Sequence, residues 1–169
     1  VGSVNARKGQ LRLLPLILNA PFPIELWIVG DGAELAACQA LAGAHPGRTQ
    51  FFGRVTHQQL AEILPKADVL VLYSRSEATP RAIMEAMAVG LPVITTNAGF
   101  CADIVADGVE GIVLGDRPDD EVLSHLERLY REPQLRERLG KAGRLRAMRD
   151  YDSITLYERY KALIVEAAG

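Results

Sequence analysis

Short runs of Val, Ile and Leu alternate with helix-forming segments along most of this chain, and this alternation limits the folds it can adopt. The pattern predicts strands at residues 1–5, 25–29, 49–52, 69–73, 92–95 and 111–114. Helices are predicted between them, including 10–19, 33–44, 56–64 and 102–106. The strands are continuous apolar runs, which is typical of parallel strands buried on both faces. We therefore predict an α/β domain with a doubly wound parallel sheet.

The last fifty residues are predicted to be helical, with helices over 121–130, 133–148 and 153–167. The second of these carries six basic residues and one acid between positions 136 and 149. A solvated helix face is the expected interpretation of such a segment. Contact with an anionic membrane surface is the alternative.

Charge and cysteine spacing exclude several function classes. The chain has 19 Lys and Arg against 21 Asp and Glu, so we expect no nucleic acid partner. Cys38 and Cys101 lie far apart without a C-x-x-C pattern, and the three histidines are scattered, so no metal site or disulfide framework is predicted. No apolar run approaches the roughly 18 residues that span a bilayer. We predict one cytoplasmic domain over residues 1–169, and Val1 opens inside an apolar run as if cut from a longer protein.

Residues 74–96 contain the clearest sign of a ligand site. A loop there leads into a helix with Thr79 as predicted N-cap and Pro80 at the first helical position. The free amides of Arg81 and Ala82 would then point out of the helix N-terminus, which attracts phosphates.

Two carboxylates bracket this turn, Glu77 before it and Glu85 inside the helix. Glu85 lies roughly 9 Å along the helix axis from the predicted cap, so the pair could hold two parts of one elongated ligand. The alternative for Glu77 is an exposed acid in the loop without a ligand. The alternative for Glu85 is an i, i+4 ion pair with Arg81 in the same helix. Lys8 lies in the turn after the first predicted strand. It is either a surface lysine or a residue that binds a phosphate at the same site as the two carboxylates.

Other motifs are weaker. Gly30-Asp31-Gly32 follows a predicted strand but lacks the third glycine of the dinucleotide fingerprint. Asp150-Tyr151-Asp152 forms a D-x-D string between two helices, where a helix cap is the better interpretation. No Ser-His-Asp or Cys-His set can be assembled by spacing.

The spacing Glu77-x7-Glu85, followed by the sequence AMAVGLPVI, closely resembles the nucleotide-sugar site of retaining glycosyltransferases of family 4, the group 1 glycosyl transferases. The resemblance extends to Lys8-Gly9, Gly30-Asp31-Gly32, Phe52-Gly53-x-Val55 and the helical C-terminus, so it covers essentially the whole chain. It implies the donor-binding C-terminal half of a GT-B enzyme, in which two Rossmann-like domains face each other. The N-terminal, acceptor-binding half is absent from this chain.

The resemblance also implies roles for individual residues. Glu85 would accept hydrogen bonds from ribose hydroxyls and Glu77 from the donor sugar, while Lys8 would hold the diphosphate. Glu77 and Lys8 form the implied catalytic pair. The implied nucleotide-sugar contacts are Glu85, Thr79, Pro80, Arg81, Ala82, Arg54, Val55, Gly2, Ser3 and Gly30.

The implied substrate is a UDP-, GDP- or ADP-sugar, transferred with retention at the anomeric carbon. A helix N-terminus and a lysine can stabilise a departing diphosphate without a metal, so no metal or cofactor is expected. The sequence departs from the family pattern at Ser3, where arginine is usual and Arg7 is the possible substitute. It departs again at Ala78-Thr79, where Gly-Phe is usual.

Two alternatives remain open from the sequence. One is half of a nucleotide-sugar epimerase of the same two-domain architecture, and the other is a nucleotide-binding module of this fold without turnover. The isolated half is predicted to be nearly inactive as an enzyme and to bind UDP or GDP weakly.

Overall fold

A computed structural model describes residues 1–151, in which strands and helices alternate as predicted. The elements in chain order are α1 (Gln10–Leu18), β1 (Leu26–Val29), α2 (Leu35–Gly43), β2 (Thr49–Gly53), α3 (His57–Ile63) with a short 3-10 helix (Leu64–Lys66), β3 (Leu70–Leu72), α4 (Arg81–Ala88), β4 (Val93–Thr96), α5 (Cys101–Ile104), β5 (Gly111–Leu114), α6 (Pro118–Arg131) and α7 (Pro133–Asp150). The helix predicted over 153–167 lies outside the described residues.

All paired strands run parallel. β1 pairs with β2, and β3, β4 and β5 form a second ladder in that order. The predicted α/β class with parallel strands is therefore confirmed, although the ladders form two groups and not one continuous sheet.

Helices cover the second ladder on both faces. Val93 of β4 packs in one apolar cluster with Ile83 and Met87 of α4. Its neighbour Ile94 packs in another cluster with Ile17 of α1 and Leu126 of α6. Val93 and Ile94 have no exposed surface, which explains why the strand reads as a continuous apolar run.

Residues 1–5 are not a strand, so this prediction was wrong. The segment is instead held at the carboxyl ends of two strands. The Gly2 amide donates to the Val29 carbonyl at 2.9 Å and the Val4 amide to the Asp31 carbonyl at 2.9 Å. On its other side, the Arg7 carbonyl accepts from the amide of Arg75 at 2.7 Å. The two bonds to the β1 side begin only at its last residue, Val29, so they are too few to make residues 1–5 a strand of the sheet.

Helix α7 lies directly on the end of α4. A Cβ atom added at Gly140 would come within 2.0 Å of the Gly90 carbonyl oxygen, so only glycine permits this approach. One turn later, a Cβ at Gly143 would meet the Met87 Cγ at 3.3 Å. This packing fixes the helix that carries Glu85.

The basic face of α7 is not simply solvated, which corrects the sequence interpretation. Arg138 donates to the Gly108 carbonyl at 3.1 Å, and Arg136 donates to the Leu129 carbonyl. Arg146 donates to the Asp103 carbonyl at 2.7 Å and pairs with Glu110 at 3.2 Å. Three of the six basic side chains thus fasten α7 to the domain, and membrane contact stays a prediction. Within residues 1–151, no helix is both long and apolar enough to cross a membrane.

Candidate functional site

The residues singled out by sequence collect where the parallel strands end, the edge at which such sheets bind ligands. Lys8 reaches this edge through a tight turn in which the amides of Lys8 and Gly9 both donate to the Asn5 carbonyl, at 3.0 and 3.1 Å. Gly9 has φ +74°, and a Cβ there would lie 2.3 Å from the carbonyl oxygen of Tyr73, just beyond β3. Gly9 therefore lets the turn pack closely against the end of β3, and this places Lys8 beside that end.

Lys8 and Glu77 form a two-pronged ion pair. The Lys8 Nζ lies 2.6 Å from Oε1 and 2.8 Å from Oε2 of Glu77. The hydroxyl of Ser74 donates to the same Oε1 at 2.5 Å. With only 4% of its side chain exposed, Glu77 is not a surface loop acid, and a buried carboxylate requires such partners.

The loops after β3 and β4 interlock around this pair. The Thr96 hydroxyl donates to the Ser74 carbonyl at 2.5 Å. Gly99 has φ +56°, and a Cβ there would lie 1.8 Å from the Glu77 carbonyl oxygen. Sequence reasoning missed Ser74, Thr96 and Gly99 as site residues, although Ser74 and Thr96 directly follow predicted strands and this was a usable signal.

The start of α4 differs from the prediction. Thr79 does not cap the helix, because Pro80 occupies the N-cap position and no side chain caps it. Pro80 has φ −78° and ψ 74°, an inverse γ-turn conformation, and this delays the helix by one residue. The Arg81 amide is occupied by the Thr79 carbonyl at 2.9 Å. Within residues 1–151, the Ala82 amide has no acceptor, so only one of the two amides that were predicted to be free is free.

Glu85 is the more open of the two carboxylates, with 32% of its side chain exposed. Among the described residues it makes no ion pair with Arg81, so the helical pair considered from sequence is wrong. The side chain that faces it is His57, whose Nδ1 lies 3.9 Å from Oε1. Burial and the charge of Lys8 lower the pKa of the Val1 amino group to about 6, while the charge of Glu85 acts to raise it. The charges of Lys8 and Glu85 thus act in opposite directions on the Val1 amine.

A capping box at the start of α3 places His57. The Gln59 amide donates to the Thr56 hydroxyl at 3.2 Å, and the Thr56 amide donates to the Gln59 side chain at 2.8 Å. This confirms the predicted start of α3. The histidine itself was dismissed as scattered, since nothing in the sequence indicates that α3 faces α4.

The glycine turn after β1 lets two chain segments touch. Gly30 has φ +133°, and a Cβ there would lie 1.9 Å from the Gly2 carbonyl oxygen. Arg54, after β2, pairs with Asp31 at 3.5 Å, and both side chains are largely exposed. Ser3 is exposed, and its carbonyl accepts from the Gln10 side chain at 3.0 Å.

Val55 is half-buried and packs on the core beside α3. Arg7 is exposed, close in sequence to Ser3. The structure thus joins Lys8 directly to Glu77 and brings Gly2 against Gly30. It does not join Glu85 to any other predicted site residue by a hydrogen bond or an ion pair within residues 1–151.

Neither cysteine has the character of a nucleophile. Burial raises the pKa of the Cys101 thiol and of the Cys38 thiol, so both are neutral at ordinary pH. Within the described part of the chain, no three His, Cys, Asp or Glu side chains cluster in a way that could hold a metal ion.

A family profile described as glycosyl transferases group 1 matches residues 1–146. The chain is 28% identical to the sulfoquinovosyl transferase SQD2 of Arabidopsis thaliana over 147 residues, which are 85% of this chain and 28% of that protein. The chain spans less than half the length of the curated relatives that it matches.

Solved structures share the fold. The structure of Anabaena Alr3699/HepE in complex with UDP superimposes with a TM-score of 0.84 at 22% identity, over 98% of this chain and 48% of that one. The C-terminal domain of the group 1 glycosyl transferase LpcC from Francisella tularensis superimposes with a TM-score of 0.81 at 18% identity, over 90% of this chain and 84% of that one. At these identities the likeness shows the fold, which is that of the C-terminal half of a GT-B glycosyltransferase.

Proposed function

Because this chain belongs to the group 1 glycosyl transferases, we propose that it is the donor-binding domain of a retaining hexosyltransferase that works without a metal. The observation that carries the proposal is the buried network of Lys8, Glu77 and Ser74 at the carboxyl edge of the strands. A solvated loop would not require a buried network of charged side chains. We therefore infer that this network acts on a ligand bound at this edge of the strands.

Lys8 serves two partners in this proposal. An ammonium group has three N–H donors, and two of them are directed to the carboxylate of Glu77. The third remains for a phosphate oxygen of the donor. Together with the unoccupied amide of Ala82, it stabilises the charge that develops on the departing diphosphate. The charge of Lys8 and the dipole of the Ala82 amide would provide this stabilisation without a metal ion.

Glu85 binds the ribose and Glu77 faces the sugar in this proposal. Glu85 is open enough to accept two hydroxyl donors, whereas Glu77 is held in a fixed orientation by its partners. The UDP in the HepE structure supports a nucleoside diphosphate as ligand. UDP-, GDP- and ADP-sugars are the candidate donors, and the acceptor is bound by the other half of the full-length enzyme.

Calorimetric titration of the chain with UDP, GDP and ADP tests the proposal. We expect weak binding of at least one nucleotide, and the Glu85→Gln variant should weaken it about tenfold, since a hydrogen bond to a charged group contributes about 1.5 kcal/mol or more. The melting temperature should stay nearly unchanged. Addition of EDTA should leave the affinity unaltered.

Glu62→Gln is the matched control, because Glu62 is an exposed acid on α3 outside the site. It should bind nucleotide as the parent chain does. If no nucleotide gives heat on a folded sample, or if both variants lose affinity equally, the assignment of the site is wrong.

A further inference from the structure

Phe100 is an exposed aromatic residue in the loop after β4. The residue is 61% exposed, although it closely follows a run of buried residues at 91–96. The other three phenylalanines of the chain are buried or half-buried, and the exposed ring of Tyr130 stacks on the ring of Phe22 with the centroids 5.8 Å apart. Within residues 1–151, the Phe100 ring has no such aromatic partner. Its exposure is therefore not explained by packing inside the domain.

The backbone holds Phe100 in place from both sides. Before it, the Ala98 amide donates to the Thr96 carbonyl at 2.8 Å. After it, the buried Cys101 donates its amide to the Ala98 carbonyl at 3.2 Å, and the Ile104 amide donates to the carbonyl of Phe100 itself at 3.3 Å. An ordered turn thus presents the ring, and a ligand that contacts it does not have to order the loop.

Phe100 is one residue from the closest approach between the loops after β3 and β4. At Gly99, an added Cβ would lie 1.8 Å from the carbonyl oxygen of Glu77. Because consecutive Cα atoms lie about 3.8 Å apart, Phe100 is placed beside the residue that carries the buried carboxylate. Glu85, by contrast, has His57 as its neighbour. Phe100 therefore borders the Glu77 end of the site, where the proposed function places the sugar.

The side chains at this end combine an apolar ring with polar groups. Asn97 is exposed in the same loop, and its side chain makes no hydrogen bond to residues 1–151, so its two donors and its acceptor oxygen are unused. A pyranose ring has the complementary character, since C–H groups cover its faces and hydroxyls project from its edge. A nucleobase also stacks on aromatic rings, but in the proposed function it lies beyond the ribose, on the Glu85 side.

The site at Glu77 is not part of an enclosed cavity. A cavity of about 1020 Å³ lies between β1 and β3, and its lining residues include Trp27 and Val71 but none of Lys8, Glu77 and Phe100. A sugar at Glu77 is thus bound at the open edge of the strands. Contact with an exposed ring removes part of its C–H surface from water there, which favours binding.

We propose that Phe100 is an aromatic platform on which the hexopyranose ring of the donor packs, while Glu77 accepts hydrogen bonds from the sugar hydroxyls. The platform rests on the proposed function, because that function sets the order of ribose, diphosphate and sugar from Glu85 to Glu77. It makes Phe100 the residue that gives the site its preference for a sugar nucleotide over the bare nucleotide. The competing partner of the ring is the surface of another protein or domain.

Titration calorimetry of three pairs tests the platform: UDP-glucose with UDP, GDP-mannose with GDP, and ADP-glucose with ADP. In at least one pair we expect the sugar nucleotide to bind about fivefold more tightly than its nucleotide, because the sugar adds an aromatic contact. Phe100→Ala and Phe100→Leu should reduce this ratio to about one, whereas Phe100→Tyr should retain it.

Leu145→Ala is the matched control, because Leu145 is a similarly exposed apolar residue, 63%, on α7. It should retain the ratio of the parent chain. Melting temperatures check that each variant is folded, and they should change little because both side chains are exposed. The platform is overturned, while the proposed donor site stands, if nucleotides bind but their sugars add no affinity. The same holds if Phe100→Ala or Phe100→Leu keeps the ratio, or if Phe100→Ala weakens both ligands of a pair equally.

Saturation-transfer NMR with methyl α-D-glucopyranoside is an arm that needs no nucleotide. It decides the outcome if no nucleotide binds, a result that would contradict the proposed function. Transfer to the sugar C–H protons that falls at least threefold in Phe100→Ala would then support the platform. Equal transfer from both chains, or none, would overturn it and would leave a protein surface as the partner of the ring.

Discussion

Glu77 is held at both ends, its carboxylate by Lys8 and Ser74 and its backbone carbonyl by the close approach of Gly99. A side chain fixed in this way loses little freedom when a ligand arrives, which favours an oriented interaction with a sugar hydroxyl. The geometry of the site therefore depends on Gly99 as much as on the charged residues Lys8 and Glu77.

Gly99→Ala should be strongly destabilising, because a Cβ there would lie 1.8 Å from the Glu77 carbonyl oxygen. Gly108 is the matched control: it also has positive φ, +72°, but nothing lies within 4 Å of its added Cβ. We expect Gly108→Ala to lower the free energy of unfolding by about 1 kcal/mol through backbone strain alone. Gly99→Ala should cost about 2 kcal/mol more. Urea unfolding measures both, and equal losses would contradict the close contact.

The sequence indicated the charged residues of the candidate site. It did not indicate the residues that contact and orient these charged side chains. Lys8, Glu77 and Glu85 were identified because charged groups beside turns suggest ligands. Ser74 and His57 were not, since neither a hydroxyl nor an imidazole indicates by its position in the sequence which carboxylate it will contact. Ser74 reaches Glu77 by a local turn, whereas His57 meets Glu85 only through the packing of α3 near α4.

At the scale of elements, α4 owes its position to α7, which approaches it through two glycines. Helices separated by side chains lie 8–10 Å apart, and small residues permit closer contact. The last turn of α4 and the following Gly90 are thus clamped, while its first turn carries the candidate phosphate site.

Gly140→Ala and Gly143→Ala should have different outcomes, although both replace a helical glycine by a better helix former, worth about 0.8–1.0 kcal/mol. At Gly140 the new Cβ would come within 2.0 Å of a backbone carbonyl, so overpacking outweighs this gain and the variant should lose about 2 kcal/mol. At Gly143 the obstacle is the flexible side chain of Met87, and the net change should stay below about 0.5 kcal/mol. Thermal and urea unfolding of the two variants provide the measurement; equal destabilisation would show that the helices are not packed as described.

The elements themselves were largely predictable. All five strands and the capping box of α3 follow from local patterns of apolar residues and caps. The start of α4 was misplaced by one residue, because Thr79 and Pro80 suit both a cap and a γ-turn. Residues 1–5 have strand-like composition, but a ladder depends on partners along the whole segment and not on composition.

At the scale of the whole molecule, the amino terminus of the chain lies inside it, between the ends of β1 and β3. Burial lowers the pKa of this amino group from 8.0 to about 6, aided by Lys8 and opposed by Glu85. A protonated amine is thus disfavoured in the folded state.

Stability of a chain that begins with a free Val1 amine should consequently rise with pH between 6 and 8. In this window the unfolded chain binds more protons than the folded one, so the free energy of unfolding increases, by up to about 2–3 kcal/mol for a shift of this size. Acetylation of the amino group should remove this contribution and leave the response of the other groups. Urea unfolding between pH 5.5 and 8.5 compares the two forms, and parallel curves would contradict the buried amine.

The class of the fold was predictable, whereas the division of its strands into two groups was not. Parallel pairing follows from continuous apolar runs, but continuity of the sheet depends on which segment lies between β1 and β3. β1 and β3 are about forty positions apart in the sequence. The periodicity of apolar residues predicts local structure and does not predict whether two such distant strands are neighbours.

The cavity between β1 and β3 also bears on how the chain behaves at high concentration. An open edge with half-buried Trp27 and Val71 can pair with a strand of any origin, and unprotected edges of this kind are templates for aggregation. Each molecule has two such edges that face the same space. Pairing at these edges should therefore lower the solubility of the isolated chain at high concentration.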